Sequence, residues 1–214
     1  MKESKMEYNI GNIEKYNTKN PLKIFMLNKF LKKILCIVKE MDKSTPNTIL
    51  DGGCGERVIS NLLYDNFPKY KITAVDYFKE AIYNTEKNNQ RPIVFDTGDI
   101  TSLEYEDNSF DVVISTEVLE HIPLPVKGLR ELYRVCKKYI ILSVPSEPFF
   151  CLGNLASGKN IKRLGNPIDH INHWTYWGFK KFVINNLPKT IKVTQYNLFV
   201  WTIVVITKQK EEKC

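Results

Sequence analysis

Ile49-Leu50-Asp51-Gly52-Gly53-Cys54-Gly55 decides how the rest of this chain is read. It closes the short apolar run Thr48-Ile49-Leu50 and leads into the helix-like segment Val58 to Leu63. Three glycines in four positions leave no Cβ between the backbone and a ligand. The N–H groups at the start of the following helix have no partner within that helix and face the same ligand. A Gly-rich turn after a strand marks nucleotide-binding folds of many kinds, so its meaning depends on the residues downstream.

Downstream, strands and helices alternate. Strands are expected at Thr48–Leu50, Lys71–Val75, Pro92–Phe95, Phe110–Ser115 and Tyr139–Val144. Helices are expected over Arg57–Asn66, Phe78–Lys87 and Val126–Val135, with an acidic loop at Thr101–Asn108. Val112-Val113-Ile114 and Ile140-Ile141-Leu142 are continuous apolar runs, the pattern of strands covered on both faces. Such spacing predicts βαβ units and an α/β, doubly wound sheet. Before the Gly turn, Asn20-Pro21 starts a helix whose stripe is Ile24, Leu27, Leu31, Ile34, Leu35, Val38 and Met41, ended by Ser44-Thr45-Pro46-Asn47. After the last of these strands, residues 145–173 have little periodicity. Thr175–Asn186 reads as a helix, and Ile191–Asn197 and Phe199–Thr207 as a strand hairpin. The expected organisation is an N-terminal arm and cap helix over 1–44, the main domain over 45–207 with an inserted lid at 145–174, and a charged tail at 208–214.

Composition narrows the classes. The 214 residues suit one domain, and a hydrophobic content of 43% suffices for a core. No apolar run approaches a membrane span, and the charged N-terminus lacks the apolar core of a signal peptide. The five cysteines, at positions 36, 54, 136, 151 and 214, form no C-x-x-C pair, which points to reduced thiols in a cytoplasm. The net charge of +7 comes from 31 basic and 24 acidic residues. Residues 1–43 hold ten Lys against five acids, and 151–189 hold six Lys or Arg against Asp169 alone. A solvated Lys-rich surface accounts for this excess. No nucleic-acid motif accompanies it, so no nucleic-acid partner is expected.

Five points fall at the carboxyl ends of the expected strands, where open α/β sheets bind ligands. They are the Gly turn led by Asp51; Val75-Asp76; Gly98-Asp99-Ile100; the strand Phe110-Asp111-Val112-Val113-Ile114-Ser115; and Thr116-Glu117-Val118-Leu119-Glu120-His121 after it. Asp76 comes 25 residues after Asp51. An acid about 20 residues beyond a Gly turn is placed to accept hydrogen bonds from ribose hydroxyls. A dinucleotide-binding enzyme would need a third glycine, which Gly53-Cys54-Gly55-Glu56-Arg57-Val58 lacks.

This series resembles the class I S-adenosylmethionine (SAM) dependent methyltransferases, closely over residues 45–145. The resemblance implies a seven-stranded, mostly parallel sheet with an antiparallel last strand. It implies SAM as cofactor, held by Asp51, Gly52, Gly53, Cys54, Gly55, Asp76, Tyr77, Asp99, Ile100, Thr116 and Glu117. Gly53 to Gly55 would face the methionine end, Asp76 the ribose, Asp99 and Ile100 the adenine, and Thr116 and Glu117 the sulfonium. Many relatives have glycine where this chain has Arg57.

Three histidines, His121, His170 and His173, are the candidate catalytic residues. The expected activity is methyl transfer to a hydroxyl or amine of a small molecule, with a histidine as base and no metal assigned. An alternative comes from resemblance to metal-dependent 2′-O-methyltransferases of RNA 3′ ends, which share the Glu-x-x-Glu-His turn and an Asp-His-x-x-x-Trp-Thr segment. There Glu117, Glu120, His121 and His170 would bind the metal. A second alternative is a SAM-binding module without catalysis. His-x-x-His-Trp-Thr also reads as a plain helix cap, with Thr175 at the N-cap.

Overall fold

A computed structural model of the chain describes residues 18–41, 46–79, 82 and 91–209. Residues 1–17 of the expected arm, most of the helix expected at Phe78–Lys87, Ser44 and Thr45 of the expected helix stop, and residues 210–214 of the expected tail lie outside the described residues.

Seven strands form one sheet in the order β3-β2-β1-β4-β5-β7-β6. They are β1 (Thr48–Gly52), β2 (Lys71–Asp76), β3 (Val94–Thr97), β4 (Phe110–Thr116), β5 (Cys136–Pro145), β6 (Ile191–Leu198) and β7 (Trp201–Lys208). The pairs linking β1 to β5 are parallel, and β7 runs antiparallel to both β5 and β6. The α/β, doubly wound, mostly parallel sheet with an antiparallel last strand is therefore the fold that forms. Five helices accompany it among the described residues: α1 (Pro21–Met41), α2 (Val58–Asn66), α3 (Pro125–Val135), α4 (Phe149–Ala156) and α5 (Tyr176–Asn186).

Alternate residues of the central strands feed two cores, one on each face. Val112, Ile114 and Ile141 join α1 and α2, while Val113, Ile140 and Leu142 join α3 and α5. This explains why both runs are apolar at every position.

Helix α1 begins as the sequence predicts. Asn20 Oδ1 accepts from the N–H groups of Leu22 and Lys23, and Pro21 needs no acceptor at the first helical position. Its buried face differs from the expected stripe: Leu27, Phe30, Ile34, Ile37, Val38 and Met41 are buried, whereas Ile24 is exposed. Phe30 is the anchor, with no exposed surface and its ring 5.1 Å from that of Trp201 at the start of β7.

Several boundaries move: β5 starts at Cys136 instead of Tyr139, and β7 at Trp201 instead of Phe199. β3 lies two residues later than the Pro92 start, because Pro92 has no N–H for the ladder and Ile93 turns back on Arg91. β7 runs on to Lys208, expected to open the tail, whose ammonium donates to the carbonyls of Cys136 and Tyr133 and to Asn108.

Phe30→Ala should cost about 3 to 5 kcal/mol of stability through the cavity it leaves. Urea denaturation of the variant beside the parent protein measures this.

Candidate functional site

The Gly turn is fixed by the strand next to it. The Val75 carbonyl accepts from the N–H groups of Gly53 and Cys54 at 2.8 and 3.0 Å. Asp76 then takes the Gly55 N–H on Oδ2 at 2.8 Å and the Phe78 N–H on Oδ1 at 3.0 Å. One carboxylate so joins the turn after β1 to the turn after β2, and each of its oxygens keeps a second lone pair for a ligand hydroxyl.

Gly53 has φ +78, and a Cβ there would stand 2.4 Å from Val118 Cγ2. Both the backbone and the space therefore require glycine. Arg57, where the resemblance implies glycine, also has positive φ (63), as N-cap of α2, and this left-handed backbone suits glycine.

Asp51 is almost fully buried and accepts from Ser60 Oγ in α2. Burial raises its carboxyl to about 6, against the opposing Ser60 bond, and the nearby Asp76 charge adds to the rise. Cys54 is buried as well, and its thiol is pushed far up by burial and by the charges of Asp51 and Asp76, so it is no nucleophile.

Beyond Asp76 opens a cavity of about 420 Å³ lined by Tyr77, Phe78, Lys79, Thr97, Gly98 and Asp99. Asp99 is exposed and caps its own turn through the Thr101 N–H, while Ile100 is buried below it. Arg134 in α3 braces the acidic loop behind, donating to the carbonyls of Leu103 and Tyr105 and to Asp107.

The β4 end carries Thr116 and Glu117, both half-buried; Glu117 sits at φ 59 and its N–H donates to Ser143. The turn after it is clamped to the segment before α5. The N–H groups of Ile171 and Asn172 donate to the Glu120 carbonyl, and the Asn172 amide donates to Leu119 and Ile122 at 3.0 and 2.7 Å.

This clamp brings His121 and His170 together, edge to face with centroids 4.8 Å apart. His121 Nδ1 lies 3.0 Å from the Asp169 carbonyl oxygen. A carbonyl only accepts, so Nδ1 carries a proton, and in the neutral form of the ring the lone pair sits on Nε2. His170 stacks on Phe150 of α4 at 5.1 Å. Ligand atoms of Glu120, His121 and His170 lie within 4.8 Å of one another. Glu117, the fourth member of the expected metal set, is not in that group. His173 points elsewhere: it is exposed, 4.0 Å from Glu147 and 3.2 Å from Asn166.

Sequence reasoning misses Asn172 and Phe150 as site residues. Asn172 sits between two histidines that draw attention, and nothing in its type separates it from other loop asparagines. Phe150 lies in a segment without helical periodicity. Thr175, by contrast, caps α5 as expected, accepting from the Gly178 N–H.

Known proteins share this fold and part of the sequence. Residues 50–142 match the family described as a methyltransferase domain. A malonyl-[acyl-carrier protein] O-methyltransferase of Bacillus cereus is 32% identical over 108 residues, covering 50% of this chain and 40% of that one. A demethylmenaquinone methyltransferase of Chlamydia trachomatis is 30% identical over 90 residues, covering 42% and 39%. The chain thus spans about two fifths of the length of these curated relatives. Among solved structures, the plantazolicin methyltransferase BpumL, in complex with a monoazolic desmethylPZN analog and S-adenosylhomocysteine (SAH), superposes with a TM-score of 0.74 at 14% identity, over 94% of this chain and 89% of that one. Residues 50–142 therefore match a methyltransferase domain, and the superposition on BpumL shows that the two chains share a fold.

The raised Asp51 carboxyl has a measurable consequence. The folded protein holds a proton there that the unfolded chain has lost above pH 4. Stability from this group is therefore full below pH 4 and falls as pH rises to about 6, by on the order of 2 to 3 kcal/mol. Asp51→Asn should remove that loss, so that the variant gains on the parent protein between pH 4.5 and 7.5 in urea denaturation.

Proposed function

We propose that this chain transfers the methyl group of SAM to a hydroxyl or amine of a small molecule. When bound, SAM supplies a methyl already activated on a sulfonium, so the protein's tasks are alignment, exclusion of water and removal of a proton. The turn from Gly53 to Gly55, held against Asp76, would take the methionine end of such a ligand. Asp76 has lone pairs for the ribose, and the cavity beside Tyr77 and Asp99 suits the adenine. Thr116 and Glu117 would line the transfer point.

The observation that carries the acceptor reading is the His121–His170 pair beside the β4 end. The acceptor's lone pair forms the new bond to the methyl carbon, and the old carbon–sulfur pair stays on sulfur. His121 Nε2 takes the proton the acceptor sheds, and the Asp169 carbonyl steadies the imidazolium through Nδ1. The Asp169 carboxyl lies 3.5 Å from His121 Nδ1 and that of Glu120 3.9 Å from Nε2, a setting that favours a neutral or cationic acceptor over an anionic one. Residues 145–174 would form the lid, with Phe150 against His170. A cytoplasmic setting belongs to the same reading, supported by the free thiols of Cys36, Cys54, Cys136 and Cys151. No helix among the described residues is long and apolar enough to cross a membrane.

The grouping of Glu120, His121 and His170 supports a second reading, a divalent-metal site for a ribose 2′-hydroxyl at an RNA 3′ end. Its donors, one carboxylate and two imidazoles, suit a borderline cation.

Calorimetry should give micromolar binding of SAM and SAH, and Asp76→Ala should weaken it about tenfold to a hundredfold. Unchanged affinity in the variant would remove Asp76 from the site. A Mn²⁺ titration of the parent protein and His170→Ala separates the two acceptor readings. The small-molecule reading expects no metal response in either protein, and the RNA reading expects one that His170→Ala abolishes. Turnover with a hydroxyl and amine panel separates an enzyme from a SAM-binding module, which would bind SAM and convert none of it.

A further inference from the structure

The end of the molecule that carries the site is unusual in what it exposes. α4 is an apolar helix, Phe149-Phe150-Cys151-Leu152-Gly153-Asn154-Leu155-Ala156, and none of its residues is fully buried. Beyond it, Ile161, Leu164 and Ile168 project into solvent, Leu164 and Ile168 at 77% and 73% exposure. Lys159, Lys162 and Arg163 are interleaved with them, all exposed, and none has an ion pair among the described residues. From residue 148 to 168 there is no acid at all.

α1 brings a second set to the same end. Phe30 packs on Trp201, which pairs with Pro145 at the carboxyl end of β5, and Lys33 lies over Tyr196, one step back along β6. The helix thus runs against the parallel strands, and its first nine residues extend about 13 Å outward from Phe30. There Leu22 and Phe25 are each 65% exposed, beside Lys19 and Lys23, again with no acid between residues 18 and 29.

We propose that this rim docks on an anionic lipid surface, its aliphatic side chains entering the headgroup boundary while the lysines and Arg163 meet the lipid charges. Stable attachment to such a surface takes both signals, apolar insertion and a basic cluster. Both are present here, between Glu147 and Asp169 at the two edges of the segment. The apolar side chains come from three separate segments, α1, α4 and the stretch around the 3₁₀ turn Ile161–Arg163. Separate protruding side chains suit a fluid interface, whereas a carrier-protein helix would be met by one continuous groove. The site mouth would then face the membrane, and the methyl acceptor would be a molecule that resides in or reaches that layer. The docking itself is independent of methyl transfer and can be read without SAM.

The test is co-sedimentation of the full chain with vesicles of phosphatidylcholine alone and of equal parts phosphatidylcholine and phosphatidylglycerol. Binding is expected to the anionic vesicles only, and to weaken as salt rises. Each cation removed should weaken it about fivefold, so K159Q/K162Q/R163Q should lose on the order of a hundredfold. L164S/I168S should lose at least about tenfold. SAH calorimetry on each variant should match the parent protein. That control shows that the variants are folded and keeps a failure of docking distinct from a failure of the donor site. No sedimentation with anionic vesicles, equal sedimentation with both kinds, or binding unchanged in the variants would overturn the proposal. So would a rim-dependent complex with an acidic carrier protein that forms where vesicle binding does not.

Discussion

The Val75 carbonyl, accepting from Gly53 and Cys54, is the contact on which the site depends. It draws the turn after β1 across the end of β2 and closes the distance at which Asp76 reaches the Gly55 N–H. That approach leaves no room for a Cβ at Gly53, because Val118 of the next turn already occupies the space. Three strand ends are therefore locked in one arrangement by a single glycine. The cost is concentrated in buried charge. Burial raises the Asp51 carboxyl, the nearby Asp76 charge adds to the rise, and Ser60 from α2 opposes it. A site that holds two carboxylates this way is prepared for a positively charged ligand, since such a ligand removes the repulsion.

The acceptor end is built on different physics. Nothing covalent or sheet-like joins the turn after β4 to the segment before α5. Their register comes from five hydrogen bonds, two from backbone N–H groups, two from the Asn172 amide and one between His121 Nδ1 and the Asp169 carbonyl. The histidine pair stands on this clamp, with Phe150 of α4 stacked against His170. The proposed donor half thus rests on the sheet, and the proposed acceptor half on a loop-to-loop contact. A division of that kind lets the half held by the sheet stay constant while the other changes.

The same division governs how much is legible in the sequence. β1, β4 and β5 can be read because their apolar runs meet two helical layers, and the Gly turn because its φ values admit few other residues. Thr175 is legible as a cap, since a hydroxyl before a helix has one common use. α4 is not, because a helix that buries no residue fully leaves no stripe in the sequence. Phe30 and Ile37 fall outside the expected stripe of α1 for a related reason: the buried face is turned from the expected one, with Ile24 left outside. The His121–His170 contact joins residues 49 apart in the chain and has no local signature, although each histidine stands out by its type.

The central claim is that the turn from Asp51 to Gly55, with Asp76, holds the methyl donor with its sulfur beside the turn that carries His121. A crystal structure with SAH bound tests it most directly. The adenosine should lie between Asp76 and Asp99, with both ribose hydroxyls on the Asp76 carboxylate and the sulfur facing Thr116 and Glu117. SAH bound elsewhere, or bound with its ribose away from Asp76, would contradict it.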